Sequence, residues 1–457
     1  MRLEPPIPNI PDDAPYSNDL FSRQEFGDSL TSLLKAVDEP VVLCIDGPWG
    51  SGKTTFAKMW LADLHQRQDL HCVYYDAYAH DYADEPFVSF TAEIVSLAEE
   101  AFQENRAIQK LKEDFKSKAR RIGGKLLYTG TRIGARALSC GILNNADVDA
   151  LQDVWTEVTD SSSATISALI GKALEDYTHS KHAIDEFRTK LSELGAALKE
   201  EQGLPLVIVV DELDRCRPDY ALALIERVKH LFSTDKVAFV LLANMEQLES
   251  YAKTIYGQGM DARAYLQKFF TLTVELPMNR TLSSDGDYCK YSRRLAEHYG
   301  LPEWQEVESF VAELLHFYRF TLREVERCLS VLSLYYAQLP NGRFTDSWLV
   351  PFLAVLRQRF PRIFIEVMNA RLSCEELVES IEISDIGTDA NSRFPRDRLL
   401  QLLGFLLMGQ SEFTDALEAK EVDQSLLRWL ERYRIERGAV LPFLCSELAR
   451  FRITAAE

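Results

Sequence analysis

Residues 41–58 constrain this chain more than any other stretch: an apolar run, VVLCID, breaks into the turn GPWGSG and resumes as a helical pattern at Lys53. Gly47-Pro48-Trp49-Gly50-Ser51-Gly52-Lys53-Thr54 fits the spacing G-x-x-x-x-G-K-[ST], and it stands between a strand and a helix, the context in which that spacing carries meaning. Glycines at 47, 50 and 52 let the backbone wrap a phosphate, so that its N–H groups and the positive end of the helix face the anion. On this pattern Gly47, Pro48, Trp49, Gly50, Ser51, Gly52, Lys53, Thr54 and Thr55 form the cradle of a nucleotide. Lys53 reaches the outer phosphates, and the Thr54 hydroxyl offers an oxygen to Mg²⁺.

A second half is expected from LPLVIVVDELD (204–214), an apolar strand ending in acids. In open α/β sheets ligands bind at the carboxyl ends of the strands, which makes Asp211 a candidate Mg²⁺ ligand. Glu212, the next residue, is the candidate general base that polarises an attacking water. The bland alternative is that both acids cap the helix beginning near Pro218. Asn244, a polar residue ending the run VAFVLLAN, is a candidate to hold that water or sense the γ-phosphate, and also a plain N-cap for MEQLESYAK. Arg323 and Arg327 lie one helical turn apart in FTLREVERCLSVL, and either is a candidate to stabilise transferred charge or simply to pair with an acid. Arg263, in DARAYLQKFF, is a weaker candidate of the same type.

Around these motifs the pattern is α/β. Extended runs at 41–46, 72–78, 204–214, 237–244 and 271–277, separated by helical stretches, predict a mostly parallel sheet covered on both faces. The chain divides into a Pro-rich arm (1–20), a first part of the sheet domain (21–90), a helical insertion (91–203), a second part of the sheet domain (204–279), a helical lid or sensor region (280–340) and a C-terminal helical region (341–457). Helices are expected at 22–37, in the insertion at FTAEIVSLAEEAF and HAIDEFRTKLSELGAALKEE, and from Pro277 onward at YSRRLAEHY, VESFVAELLHFY, TLREVERCLSVLSLYYAQL, DRLLQLLGFLLMG and SLLRWLERYR. The loop SDIGTDANSRFPRD separates the last two of these from the rest.

Composition excludes several classes. Over 457 residues, 46% hydrophobic and 26% charged is ordinary globular usage, and a net charge of −19 argues against a protein that coats nucleic acid with its whole surface. The eight cysteines are scattered, with no C-x-x-C pair, and the histidines form no metal-ligand cluster, so core thiols and no zinc are expected. The Pro-rich N-terminus lacks an apolar signal core and no stretch is long enough to span a bilayer, which predicts a cytoplasmic chain, peripheral at a membrane at most. One stretch runs against the overall charge: residues 106–136 hold ten basic residues against Glu113 and Asp114. Three readings stay open for it: docking on an acidic protein surface, contact with an anionic membrane, or contact with a nucleic-acid backbone.

GPWGSGKTT, YYDAYAHDYADEPF, VIVVDELDRCRP, FVLLANMEQLESYA, YLQKFFTLTVELP and TLREVERCL resemble, in that order, the signposts of KAP family P-loop NTPases. That resemblance implies a P-loop sheet of the additional-strand, catalytic-glutamate type, related to AAA+ and STAND ATPases, with ATP preferred over GTP. It also implies Lys53 and Thr54 on phosphate and Mg²⁺, Asp211 on Mg²⁺, Asp214 as a further acid, and Arg323 as a nucleotide-sensing arginine. The family more often has Asp at the position of Asn244 and frequently Asp at that of Glu212, so the base stays open between Glu212 and Asp214. Many members carry transmembrane helices between the two nucleotide motifs, and this chain has none there. The expected activity is an ATPase driving a conformational or assembly switch, as a homo-oligomer or with a protein partner that carries the output, in bacterial anti-phage defence or membrane-associated signalling. The alternative is a nucleotide-binding scaffold with little intrinsic hydrolysis; a small-molecule kinase is disfavoured because no acceptor site is evident.

Overall fold

The computed structural model describes residues 6, 9–68, 72–82, 203–281, 286–301, 304–338, 348–386, 395–418 and 436–450, with scattered positions between 86 and 94, 185 and 200, and 427 and 431. The basic stretch 106–136 lies outside the described residues, as do most of FTAEIVSLAEEAF and SLLRWLERYR and most of the loop SDIGTDANSRFPRD. The described chain forms two compact units, one of residues 10–48 and 52–277, the other of residues 1–9, 49–51 and 278–457.

The first unit is built on five strands, β1 (Val41–Asp46), β2 (Cys72–Asp76), β3 (Leu206–Asp211), β4 (Val237–Ala243) and β5 (Leu272–Glu275), paired in parallel in the order β2-β3-β4-β1-β5. Burial follows that order. The three inner strands are apolar on both faces, with every residue of β3 and β4 buried, as a strand between two helical layers requires. At the edges β2 alternates and β5 is largely exposed. Alternation along each strand then sorts the core into two layers. Val41, Leu43, Ile45, Val207 and Val209 face α1 (Gln24–Ala36) and α2 (Lys53–Gln68), where Leu30, Leu34, Phe56 and Trp60 meet them. Val42, Cys44, Leu206, Ile208 and Val210 face α3 (Pro218–Phe232), α4 (Met245–Tyr256) and the helical residues 187–197. Each large apolar side chain so buried contributes about 1.5–3 kcal/mol.

Two local details fix the layers. Trp60 donates from its indole to the Thr31 hydroxyl at 3.0 Å, tying α2 to α1, and Gly27 leaves the space that Tyr16 and Trp60 fill. The extended run 72–78 stops short, at Asp76, because the Asp76 carboxylate accepts the Ala79 N–H at 3.0 Å and winds Tyr78–His80 into a 3₁₀ turn.

The second unit is helical: after β5 come α6 (Asp287–Tyr299), α7 (Trp304–Phe317), α8 (Leu322–Gln338), α9 (Leu349–Arg359), α10 (Pro361–Met368), α11 (Cys374–Ser380), α12 (Arg396–Leu407), α13 (Gln410–Glu418) and α14 (Val440–Ala449), the short α5 (Ala262–Leu266) belonging to the sheet unit. One apolar cluster, running from Tyr288 to Leu448, holds α6 to α14 together. Tyrosine hydroxyls close gaps in the backbone inside it: Tyr288 donates to the Phe320 carbonyl at 2.7 Å and Tyr318 to that of Ile381 at 2.8 Å. Among the described residues no helix is long and apolar enough to cross a membrane, and the described cysteines are free thiols, five of them buried.

Candidate functional site

Because β1 and β3 are parallel and separated only by β4, their carboxyl ends lie at one edge of the sheet. The turn after β1 leaves the strand with Gly47 N–H donating to the Ala243 carbonyl of β4. It passes through left-handed conformations at Gly50 (φ +79°) and Gly52 (φ +86°), which a residue with a Cβ enters only at a cost of about 1 kcal/mol or more. It then opens α2 at Lys53. The Lys53 ammonium folds back on the loop, donating to the carbonyls of Gly47 at 2.5 Å and Pro48 at 3.3 Å, and pairs with Asp214 Oδ2 at 3.5 Å. Lys53 and Asp214 are both buried.

The end of β3 supplies the acids. Asp211 is 1% exposed; its Oδ2 accepts the Tyr74 hydroxyl at 2.8 Å from neighbouring β2, and its Oδ1 accepts the Glu212 N–H at 2.7 Å. Burial pushes its carboxyl above the usual range, against the pull of the hydrogen bonds from Thr54, Tyr74 and Glu212 N–H. Glu212 takes a left-handed backbone (φ +60°, ψ +22°), uncommon for a residue with a side chain. That turn delivers its carboxylate to the Thr54 hydroxyl at 3.2 Å and to Arg215 Nε at 2.5 Å. Burial, then the charge of Asp211, raise the Glu212 carboxyl, and Arg215 opposes them.

Asp214, on the 3₁₀ turn Leu213–Arg215, ties β3 to β4: its Oδ2 accepts the Asn244 N–H at 2.8 Å and its carbonyl accepts the Tyr251 hydroxyl at 2.8 Å. Asn244 caps α4, its side chain accepting from Gln247 N–H at 3.4 Å, and Asp46 at the end of β1 accepts the Met245 N–H at 2.9 Å.

Lys53, Thr54, Asp211, Glu212 and Asp214 therefore meet at one sheet edge. Asn244 touches that group through its backbone. Arg323 and Arg327 are exposed on α8 on either side of Glu326, whose carboxyl is raised by burial, while the Tyr291 hydroxyl bond and both guanidiniums pull it the other way. Within the same unit Arg323 passes close to Gly50, where an added Cβ would stand 2.5 Å from Arg323 Cβ. Arg263 is exposed on α5.

Four residues belong to this assembly that the sequence did not single out. Tyr74 and Arg215 hold the two acids, and Asp46 holds the start of α4. Arg23, 3% exposed ahead of α1, donates to the Gly52 carbonyl at 3.3 Å and so supports the turn from behind. Only Arg215 had a visible signal, its i,i+3 spacing from Glu212 across a turn.

The oxygen donors of Thr54 and Asp211 suit Mg²⁺, a hard cation that binds through few carboxylates together with substrate phosphates. A strand–loop–helix cradle, an acid pair on β3 and an additional strand, β4, between β1 and β3 define a P-loop NTPase of the additional-strand type. The KAP family P-loop domain matches residues 23–339, and the chain belongs to that family. No curated protein matches it. Among solved structures, the ORC2 protein of Aeropyrum pernix, solved as ADPNP–ADP complexes, is similar at 13% identity over 94% of each chain, with a TM-score of 0.34.

Proposed function

We propose that the chain binds Mg-ATP and hydrolyses it to drive a conformational or assembly switch. The observation that carries this reading is the meeting of Lys53 and Thr54, from the loop and α2, with Asp211 and Glu212, from β3, at one edge of the sheet. Lys53 binds the outer phosphates, giving up its loop carbonyls for them. Thr54 and Asp211 hold Mg²⁺, which when bound neutralises charge on the phosphates. Glu212 is the base: its raised carboxyl range brings it nearer neutrality and suits it to take a proton from water. Asp214, engaged with Lys53 and Asn244 N–H, acts as a brace for both rather than as a base.

Asn244 keeps its side-chain amide N–H groups for the water or the γ-phosphate while its oxygen caps α4. Arg323, beside Gly50, reports nucleotide occupancy to the helical unit to which it belongs. The family resemblance supports a setting in bacterial anti-phage defence or membrane-associated signalling, with output through a homo-oligomer or a protein partner. The scaffold reading, with little intrinsic hydrolysis, has one observation in its favour: both carboxylate oxygens of Glu212 are already engaged.

Phosphate release from wild type and Glu212→Gln, with ATP or GTP and with mass followed by light scattering, separates the two. Turnover of ATP by wild type, and a trapped larger assembly in the variant, is the expected result. Nucleotide binding with no release from either protein would leave the scaffold.

A further inference from the structure

We infer that Arg215 is a positioning residue that latches the base, holding Glu212 in a resting arrangement from which it must be released for each turnover. The inference rests on the hydrolytic reading of Glu212 and goes beyond it, because it assigns a control element inside the site.

The geometry is specific. Glu212 has two carboxylate oxygens and both are taken, Oε1 by the Thr54 hydroxyl at 3.2 Å and Oε2 by Arg215 Nε at 2.5 Å. A carboxylate so held is fixed in direction and has only its remaining lone pairs to offer a water, since a charge-assisted bond of that length is among the strong ones. The partner hydroxyl is itself the candidate metal ligand, so one carboxylate restrains two parts of the machinery at once.

The two ends of the latch differ in freedom. The Glu212 side chain is 13% exposed and anchored by a left-handed backbone, whereas the Arg215 side chain is 38% exposed. Arg215 is therefore the end that swings. Its backbone lies on the short turn Leu213–Arg215, with Arg215 N–H donating to the Glu212 carbonyl at 3.1 Å, so the side chain leaves without unmaking the turn. A purely structural ion pair at this place would not need the shared metal-ligand hydroxyl.

The test uses the full chain. Arg215→Ala and Arg215→Gln are compared with wild type for kcat and KM of ATP-dependent phosphate release, each also in the Glu212→Gln background. Alongside, a water-soluble carbodiimide with an amine nucleophile labels free carboxyls, and the rate at Glu212 is read by peptide mass mapping without nucleotide. A latch raises kcat by about threefold in both variants with KM within twofold, as an exposed-end ion pair should, does nothing in the Glu212→Gln background, and speeds labelling of Glu212. A kcat equal to or below that of wild type overturns the latch. Should wild type bind ATP without hydrolysing it, the hydrolytic reading fails while the labelling still decides: faster labelling of Glu212 in Arg215→Ala sustains the restraint, and an unchanged rate overturns it.

Discussion

Among the described residues both units of this protein bury acids, yet only in the sheet unit do they converge on a cation. In the sheet unit Asp211, Asp214 and Lys53 are all buried within one cluster of short polar contacts, closed by backbone at left-handed angles. In the helical unit Asp287 and Glu313 are as deeply buried but stand on different helices, and Asp287 serves locally, its Oδ2 accepting the Asn279 N–H at 2.6 Å at the start of α6. The difference teaches that buried charge alone marks nothing. Convergence of a cation, two acids and a hydroxyl on strained backbone does, since each such group opposes folding unless its partners are fixed.

The contrast breaks first at the helical core if it is wrong. Leu353 on α9 is fully buried among apolar neighbours. Leu353→Ala should cost about 2–5 kcal/mol in urea unfolding followed by circular dichroism. Nucleotide affinity in native buffer should stay within twofold; affinity lost in step with stability would show that apolar packing in one unit sets the chemistry of the other.

Next in size is Lys53. Lys53→Met should weaken binding of a fluorescent ATP analogue by about a hundredfold, close to 2.7 kcal/mol. It should also destabilise the chain, because Asp214 keeps its Asn244 bond but loses its cation. Adding Asp214→Asn should restore the stability and leave the affinity lost. Recovery of affinity in the double variant would mean that Lys53 braces the fold and does not bind phosphate.

How much of this could be read beforehand follows the physics of each element. Strands β1, β3 and β4 were legible because a strand buried on both faces is an unbroken apolar run, and the P-loop because its glycines have no other use at that spacing. Helix α9 is not legible in this way, since Leu349–Leu356 is buried throughout and leaves no polar face to give a period. Strand order was out of reach: nothing in the residues of β4 says that it inserts between β1 and β3. For that reason Tyr74 could not be tied to Asp211, nor Asp46 to Met245, while Arg23 sat in an unremarkable segment ahead of α1. For Asn244 the sequence offers two candidate roles at once, and the cap is the one the structure displays.

That doubleness gives the next prediction, smaller than the first two. Asn244→Ser keeps an acceptor for Gln247 N–H but shortens the side chain, so stability should hold within about 0.5 kcal/mol. Loss of one hydrogen bond to a charged centre should lower phosphate release by about tenfold. Equal turnover with equal stability would leave Asn244 a cap and nothing more.

The smallest effect tests the burial of Asp211 itself. Its carboxyl is raised in the folded chain, chiefly by burial, so the folded state binds its proton more tightly than the unfolded state does. Its favourable contribution is therefore complete below the ordinary carboxylate pKa, about 4, and fades as pH climbs through the raised folded value. Asp211→Asn carries no charge at any pH, and its amide oxygen still accepts the Glu212 N–H. In urea unfolding between pH 4 and 8 the variant should gain on wild type as pH rises, by about 1.4 kcal/mol for each tenfold by which folding tightens the proton on Asp211. Mg²⁺-dependent nucleotide binding should be lost in the same variant. Parallel curves would mean that Tyr74, Thr54 and the Glu212 N–H already solvate the carboxylate as well as water does. The site would then carry its acid without strain, and the contrast with the helical unit would rest on convergence alone.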